Sequence, residues 1–322
     1  MIQSRRRAAV VGLVAALALA LSACSSTGGK RSAAVTNERF TIAMITHEAP
    51  GDTFWDKVRA GAEAAAAKDN IQLNYTPNPE AAGQATLIQT AIDQKVDGIA
   101  VTMSKPDPLA PSIRAAIQAG IPVVAFNSGI NEWKRLGALQ YFGSDEDLAG
   151  ESAGQRIAAA GGKKALCVIQ EQGSVALEAR CAGLKKAFAN TENLNVNGTD
   201  LPSVRSTIVA KLQVDKTVDY IVTLGAPYAL AALQSAKDAG SAAKVVTFDL
   251  NADAAKAIKD GTIEFSVDQQ PYLQGYEAVD SLWLYLTNGN QLGGGLPVLT
   301  GPSFVDRSNI DAILTYANKN TR

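Results

Sequence analysis

The sequence predicts an α/β protein made of two doubly wound parallel-sheet lobes. Three observations carry this prediction. Short, β-branched apolar runs alternate with longer segments of helical spacing from Phe40 onward. The runs fall into two series of five, with only Gly143-Ser144-Asp145 between the fifth and the sixth. A length of 322 residues, 47% hydrophobic and 19% charged, matches an ordinary globular composition with room for about two cores.

In the first series, strands are expected at Phe40–Thr46, Ile71–Tyr75, Gly98–Met103, Val123–Phe126 and, briefly, near Tyr141. The second series runs Ala165–Ile169, Leu194–Thr199, Tyr220–Leu224, Val245–Asp249 and Ile263–Val267. Ala-rich stretches such as Thr53–Lys68 and Val175–Asn190 carry apolar residues at three- and four-residue spacing and are expected to be helices. Open parallel sheets bind ligands beyond the carboxyl ends of their strands, so the residues that end each run are the candidate site. Those ends include Thr46-His47-Glu48, Asn127-Ser128-Gly129, Gln170-Glu171-Gln172, Asp249-Leu250-Asn251 and Asp268-Gln269-Gln270. They are rich in amides, carboxylates and hydroxyls, which suit a neutral polar solute better than a phosphate.

Several chemistries are excluded. A net charge of −1 without a basic cluster beyond the first residues removes the electrostatic footprint of a nucleic-acid binder. One histidine, His47, and three cysteines are too few for a zinc site built on His and Cys, so no metal is expected. No strand is followed by a Gly-x-Gly-x-x-Gly turn, a Gly-Lys-Ser/Thr loop or a Gly-x-Ser-x-Gly elbow, so no cofactor and no catalytic residue is assigned.

The N-terminus reads as an address. Arg5, Arg6 and Arg7 precede an uncharged stretch from Ala8 to Leu21. Its 14 residues fall short of the roughly 20 that cross a bilayer, and suit a secretory signal. Leu21-Ser22-Ala23-Cys24 resembles the lipobox of bacterial lipoproteins, in which the cysteine receives a diacylglyceryl group before cleavage ahead of it. An ordinary signal peptide is the alternative. The Ser-, Gly- and Lys-rich tract after Cys24 suits a flexible tether.

Taken in order, Thr53-Phe54-Trp55 with Gly61, Ile121-Pro122-Val123-Val124-Ala125-Phe126-Asn127, Gly143-Ser144-Asp145 with Ala149-Gly150, Leu177-Glu178-Ala179-Arg180-Cys181-Ala182-Gly183, Val246-Thr247-Phe248-Asp249 and Val267-Asp268-Gln269-Gln270-Pro271 resemble the type I periplasmic solute-binding proteins of sugar ABC transporters, close to the ribose and galactose binders. The likeness covers nearly the whole chain after the signal. It implies lobes joined by a hinge with chain crossings near Gly143, Gln269 and Leu299. The expected divisions are a signal peptide over 1–23, a lipid-anchored tether over 24–39, an N-terminal lobe of 40–143 plus about 270–298, and a C-terminal lobe of 144–269 plus about 299–322. The resemblance also implies Phe54 and Trp55 for stacking and Asn127, Arg180, Asp249 and Gln269 for hydroxyl recognition. Ribose binders carry an Asp-Arg pair where this chain has Asn127-Ser128, so ribose itself is not expected.

The implied function is capture of a monosaccharide or polyol between closing lobes and its delivery to an ABC permease. The protein would be a monomer outside the cytoplasm, held to the membrane by its N-terminal lipid and without a nucleic-acid partner. A ligand-presenting sensor subunit and a secreted carbohydrate-active enzyme are the alternatives. The enzyme is weakened because only His47 could serve as an imidazole base. A repressor would need a helix-turn-helix where the signal stands.

Each candidate also has a plainer reading. Consecutive helical residues point about 100° apart, so one of Phe54 and Trp55 is expected to leave the core. Asp249 could instead cap the helix near Ala252, Arg180 could form a surface salt bridge, and Gln269 could be a turn residue. Trp133, shortly after Asn127, could be a pocket wall. Cys167 and Cys181 could form a disulfide closing a short loop, for roughly 3 kcal/mol in the chain-entropy model, or remain buried thiols.

Overall fold

The computed structural model describes residues 39–322. The signal peptide, Cys24 and all but the last residue of the tether lie outside the described residues.

In the first half, β1 (Thr41–Thr46), α1 (Phe54–Lys68), β2 (Gln72–Pro77), α2 (Ala81–Asp93), β3 (Gly98–Val101), α3 (Pro106–Gln118), β4 (Val123–Phe126), α4 (Trp133–Leu136) and β5 (Tyr141–Ser144) follow one another. The second half continues with α5 (Glu146–Ala159), β6 (Ala165–Ile169), α6 (Val175–Ala187), β7 (Thr191–Asn195), α7 (Leu201–Val214), β8 (Tyr220–Thr223), α8 (Ala226–Asp238), β9 (Lys244–Phe248), α9 (Ala252–Asp260) and β10 (Ile263–Asp268). A return segment of α10 (Pro271–Asn288), β11 (Val298–Gly301), β12 (Ser303–Asp306) and α11 (Ile310–Asn318) ends the chain.

The strands form two six-stranded sheets, ordered β11-β5-β4-β3-β1-β2 and β12-β10-β9-β8-β6-β7. Every pairing is parallel except β10 with β12. Alternation along each strand feeds two faces. Ile42 and Met44 of β1 join Ala100, Val124 and Phe126 under α1 and α10, whereas Ala43 and Ile45 join Ile99, Val101 and Val123 under α2 and α3. The second sheet repeats the plan. Cys167, Val222 and Val246 face α5 and α6, and Leu166, Ile221 and Val245 face α7, α8 and α9.

Glycine permits the closest helix pair of each lobe. A Cβ on Gly61 would stand 1.9 Å from the Tyr272 carbonyl oxygen, and one on Gly275 1.9 Å from that of Val58. Between α5 and α6, Gly150 and Gly183 lie equally near the carbonyls of Arg180 and Asp147.

The chain passes between sheets after β5, after β10 and between β11 and β12. Two expectations shift. Ten strands become twelve, because Val298–Gly301 joins the first sheet and Ser303–Asp306 the second. The last crossing falls at Pro302, near the expected Leu299, which itself pairs with Gly143 inside β11. The strand expected at Leu194–Thr199 lies earlier, at Thr191–Asn195, in register with Ala165–Ile169. Beyond Asn195 the chain leaves the sheet edge, and the Gly198 amide donates to the Gln170 carbonyl. No described helix is long and apolar enough to cross a membrane.

Candidate functional site

The carboxyl ends of both sheets face a common cleft holding a cavity of about 210 Å³. A cavity of this order suits one small solute. Phe54, Trp55, Asn127, Arg180, Asp249 and Gln269 all line it.

Two of these residues end equivalent strands. Asn127 follows β4 with φ 62° and Asp249 follows β9 with φ 63°. Asn and Asp adopt this left-handed region more readily than other side chains, which turns the chain sharply off the strand. Asp249 does not cap α9; the Asn251 side chain does, accepting from the Ala254 amide at 2.8 Å. Its Oδ1 instead accepts from Gln269 Nε2 at 2.9 Å. Burial pushes the Asp249 carboxyl up to about 7, against the opposing pull of Arg180 and the Gln269 hydrogen bond.

Arg180, on α6, is only 3% exposed, so the surface salt bridge is replaced by a buried one. Its Nε and Nη2 donate to the two oxygens of Glu146 at 2.5 and 3.1 Å, Nη1 donates to the Leu224 carbonyl at 3.2 Å, and the guanidinium lies 4.8 Å from the Phe248 ring centre. Three of five N–H groups are thereby held, and two remain for a solute. A disulfide joins Cys181, the next residue, to Cys167 on β6, with Cα atoms 5.9 Å apart.

The first lobe supplies the aromatic wall. Phe54 and Trp55 pack edge to face at 5.0 Å, and the His47 ring meets Trp55 at 4.8 Å. Contrary to expectation neither leaves the core; both are buried against β1 while bordering the cavity, because α1 starts at the cleft and each ring spans core and lumen. Trp133 is no pocket wall. It packs on the other face of the sheet with Leu109 and Ile113.

His47 gains a definite place. The Thr102 hydroxyl accepts from the His47 amide at 3.1 Å and from Gln84 Nε2 at 3.2 Å, so its own hydrogen goes to His47 Nδ1 at 2.7 Å. Burial lowers the imidazole pKa, and the neutral ring carries its proton on Nε2, 3.7 Å from Glu171 Oε2 across the cleft. Lys105 Nζ lies 3.5 Å from Glu171 Oε1. The Val175 amide donates to the Ser104 carbonyl at 2.9 Å, and Asn251 Nδ2 to Thr53 Oγ1 at 3.4 Å. These contacts join the lobes, so the structure is a closed form.

The sequence marks Glu171 only as a strand-end polar residue, and Lys105 sits just beyond β3 with no local signal of a partner across the cleft. Asp52, pushed up to about 6 by burial, also lines the cavity from the stretch between β1 and α1, where no strand end singles it out. Glu146 and Lys57 were missed outright. Lys57 is 0% exposed, with its ammonium donating to the Thr53 carbonyl at 3.0 Å; burial lowers its pKa, while Asp249 is the foremost of the carboxylates that oppose the shift. An amphipathic reading of α1 gives no sign of a lysine on its inner face.

Two lobes closing on a cavity of solute size, lined by rings on one side and charged hydrogen-bonding groups on the other, define a solute-binding protein. The chain belongs to the family described as periplasmic binding protein domain, whose model matches residues 42–291. It is similar to a carbohydrate transporter from Acidothermus cellulolyticus 11B solved in complex with myo-inositol, at 55% identity and TM-score 0.88, covering 88% of this chain and 100% of that one. The xylitol-binding protein of Mycolicibacterium smegmatis is 26% identical over 78% of this chain and 72% of its own length. The xylose/arabinose-binding protein of Sulfolobus acidocaldarius is 25% identical over 76% of this chain, which spans 65% of that relative's length. The protein is thus a solute-binding protein of the sugar ABC-importer class, a family that works outside the cytoplasm.

Proposed function

We propose that the protein captures one uncharged cyclic polyol, of which myo-inositol is the foremost candidate, and hands it to a membrane permease. The observation that carries this reading is the placement of Asp249 and Arg180 opposite Asn127 and the Phe54-Trp55 wall around a cavity for a single ring. A carboxylate accepts from ligand hydroxyls and a guanidinium donates to them, while Trp55 offers its ring to an apolar C–H face. The 55% identity to a protein solved with myo-inositol supports a ring without an anomeric centre. Gln269 serves here by holding Asp249, and Glu146 by holding Arg180.

The test is calorimetry of the mature protein with myo-inositol, xylitol, arabinose, ribose and glucose. Saturable binding of myo-inositol, tighter than that of the others, is the expected result. Tighter binding of an open-chain polyol or a pentose would reassign the ligand, and binding of none would overturn the reading.

Attachment through a diacylglyceryl group on Cys24 belongs to the same proposal, since two acyl chains give stable anchoring where one does not. Cys24→Ala should release the protein from membranes or leave it unprocessed, and unchanged membrane attachment would reject the anchor. Formation of the Cys167–Cys181 bond in the secreted protein is tested by alkylation of the denatured protein without reductant, which should leave both residues unmodified, whereas buried thiols would then react.

A further inference from the structure

We infer that Gln274, a residue outside the cavity, decides which hydrogen-bonding face Asn127 shows to the ligand, and so acts as a positioning residue linking the recognition groups of both lobes. The inference rests on the reading of the cavity as a polyol site. Four buried side chains stand in line. Asn127 Nδ2 donates to Gln274 Oε1 at 3.2 Å, Gln274 Nε2 to Gln269 Oε1 at 3.1 Å, and Gln269 Nε2 to Asp249 Oδ1 at 2.9 Å. The line starts at the end of β4 in one sheet, passes through α10 and the crossing after β10, and finishes at the end of β9 in the other.

An amide side chain has one donor end and one acceptor end, and a half-turn exchanges them. The direction of this line is fixed at Gln274. Its Nε2 lies 3.1 Å from the Gln269 backbone carbonyl, an acceptor that cannot turn round. It also lies 3.1 Å from Thr300 Oγ1, whose single hydrogen is committed to the same carbonyl at 2.7 Å, so that hydroxyl must accept. Three acceptors thus share the two hydrogens of Gln274 Nε2, so its NH₂ lies on this side and its oxygen faces Asn127. Asn127 is then obliged to turn its nitrogen, and one of its two N–H groups, to Gln274, and its Oδ1 is left for the cavity it lines. Gln274 is 0% exposed, so no water substitutes for it. With the line intact, Asn127 selects a ligand hydroxyl that donates; without Gln274, Asn127 can flip and accept a group that offers no hydrogen.

The experiment measures dissociation constants for myo-inositol and its monodeoxyfluoro analogues, in which fluorine replaces a hydroxyl and removes the donor. In the wild type one position should lose roughly 3- to 12-fold on fluorination, and Asn127→Ala should abolish that loss and so mark the position. In Gln274→Met the hydroxyl-to-fluorine ratio at that position should fall to within about twofold of unity, as a flipped amide predicts. A wild-type ratio in Gln274→Met would overturn the inference, whatever its effect on affinity itself. Should Gln274→Met fail to fold, NMR of the wild type decides. The Asn127 amide proton that bonds Gln274 should stay unmoved on adding myo-inositol, and a large ligand-induced shift of that proton would place it on the ligand and overturn the proposal. If the wild type binds no polyol, the reading of the cavity fails instead, and the two failures are told apart by that control.

Discussion

Asn127 and Asp249 hold the same place in two different sheets. Each follows the strand third from its sheet's edge, each takes φ near 62°, and each borders the same cavity. One is a neutral amide and the other a carboxyl, so a solute between them meets unlike partners on its two sides. A ligand draws the lobes together only through such differential contact with the closed form.

Hydrogen bonds to charged groups are worth ~1.5 to 3 kcal/mol, so Asp249→Ala or Arg180→Ala should weaken ligand binding roughly 10- to 150-fold. Trp55→Ala should weaken it as well, through lost stacking. Calorimetry reads each directly, and wild-type affinity in both charge variants would mean that the solute sits elsewhere.

Glu146→Gln should act on Arg180 rather than on the ligand. The two side chains are both 3% exposed, and breaking a buried pair from one side costs about 3–5 kcal/mol because the other charge is left uncompensated. Chemical denaturation of the ligand-free variant should show that loss, together with weaker binding. A variant as stable as the wild type would mean that water reaches the guanidinium.

The pH response follows from two carboxyls. Burial holds Asp52 near 6 and Asp249 near 7, whereas an unfolded Asp titrates near ~3.9. Between about pH 4 and pH 7 these two carboxyls hold more protons in the folded, ligand-free protein than in the unfolded chain, so the stability they contribute falls as pH rises through that window and levels off above it, against the smaller opposite pull of His47, whose pKa burial lowers. Ligand hydroxyls donate to the ionised carboxylate, so affinity should rise over the same range and binding should release protons. Thermal unfolding across pH and calorimetry in buffers of different ionisation enthalpy test both signs. Asp249→Asn should flatten the upper part of the profile, and proton uptake on binding would contradict it.

Glu171 reaches across the cleft to His47 and Lys105. Glu171→Gln should speed ligand release by roughly 2- to 5-fold and blunt its dependence on salt, since partly exposed pairs contribute modestly and are screened. Stopped-flow release at low and high salt measures this. An unchanged rate at low salt would deny these charges any part in closure.

What could be read from the sequence follows a physical line. Asn127, Asp249 and Gln269 were legible because short β-branched runs stop abruptly at polar residues, and strand ends of parallel sheets point to one side. Glu146 and Gln274 were not, because their partners Arg180 and Asn127 lie 34 and 147 residues away and meet only through helix packing and a crossing. β11 and β12 escaped notice because they are four residues each, beside Gly293-Gly294-Gly295 and around Pro302, where turn signals outweigh β propensity. The misplaced strand at Leu194 has the opposite cause. Val196 continues the alternation begun by Leu194 and so extends the strand pattern past Asn195, where the backbone has already left the sheet.

The order of assembly carries a consequence for biosynthesis. The face of the first sheet formed by Ile42 and Met44 is roofed by α10, and its edge beyond β5 is closed by β11, yet both segments follow the whole of β6 to β10 in the chain. A polypeptide emerging N-terminus first therefore leaves that apolar face only partly roofed, by α1, until about residue 300 has left the ribosome. The second lobe waits longer still for β12 and α11. Interleaving the lobes in this way delays the native state of both until translation is nearly done, so neither lobe folds to completion as an independent N-terminal unit.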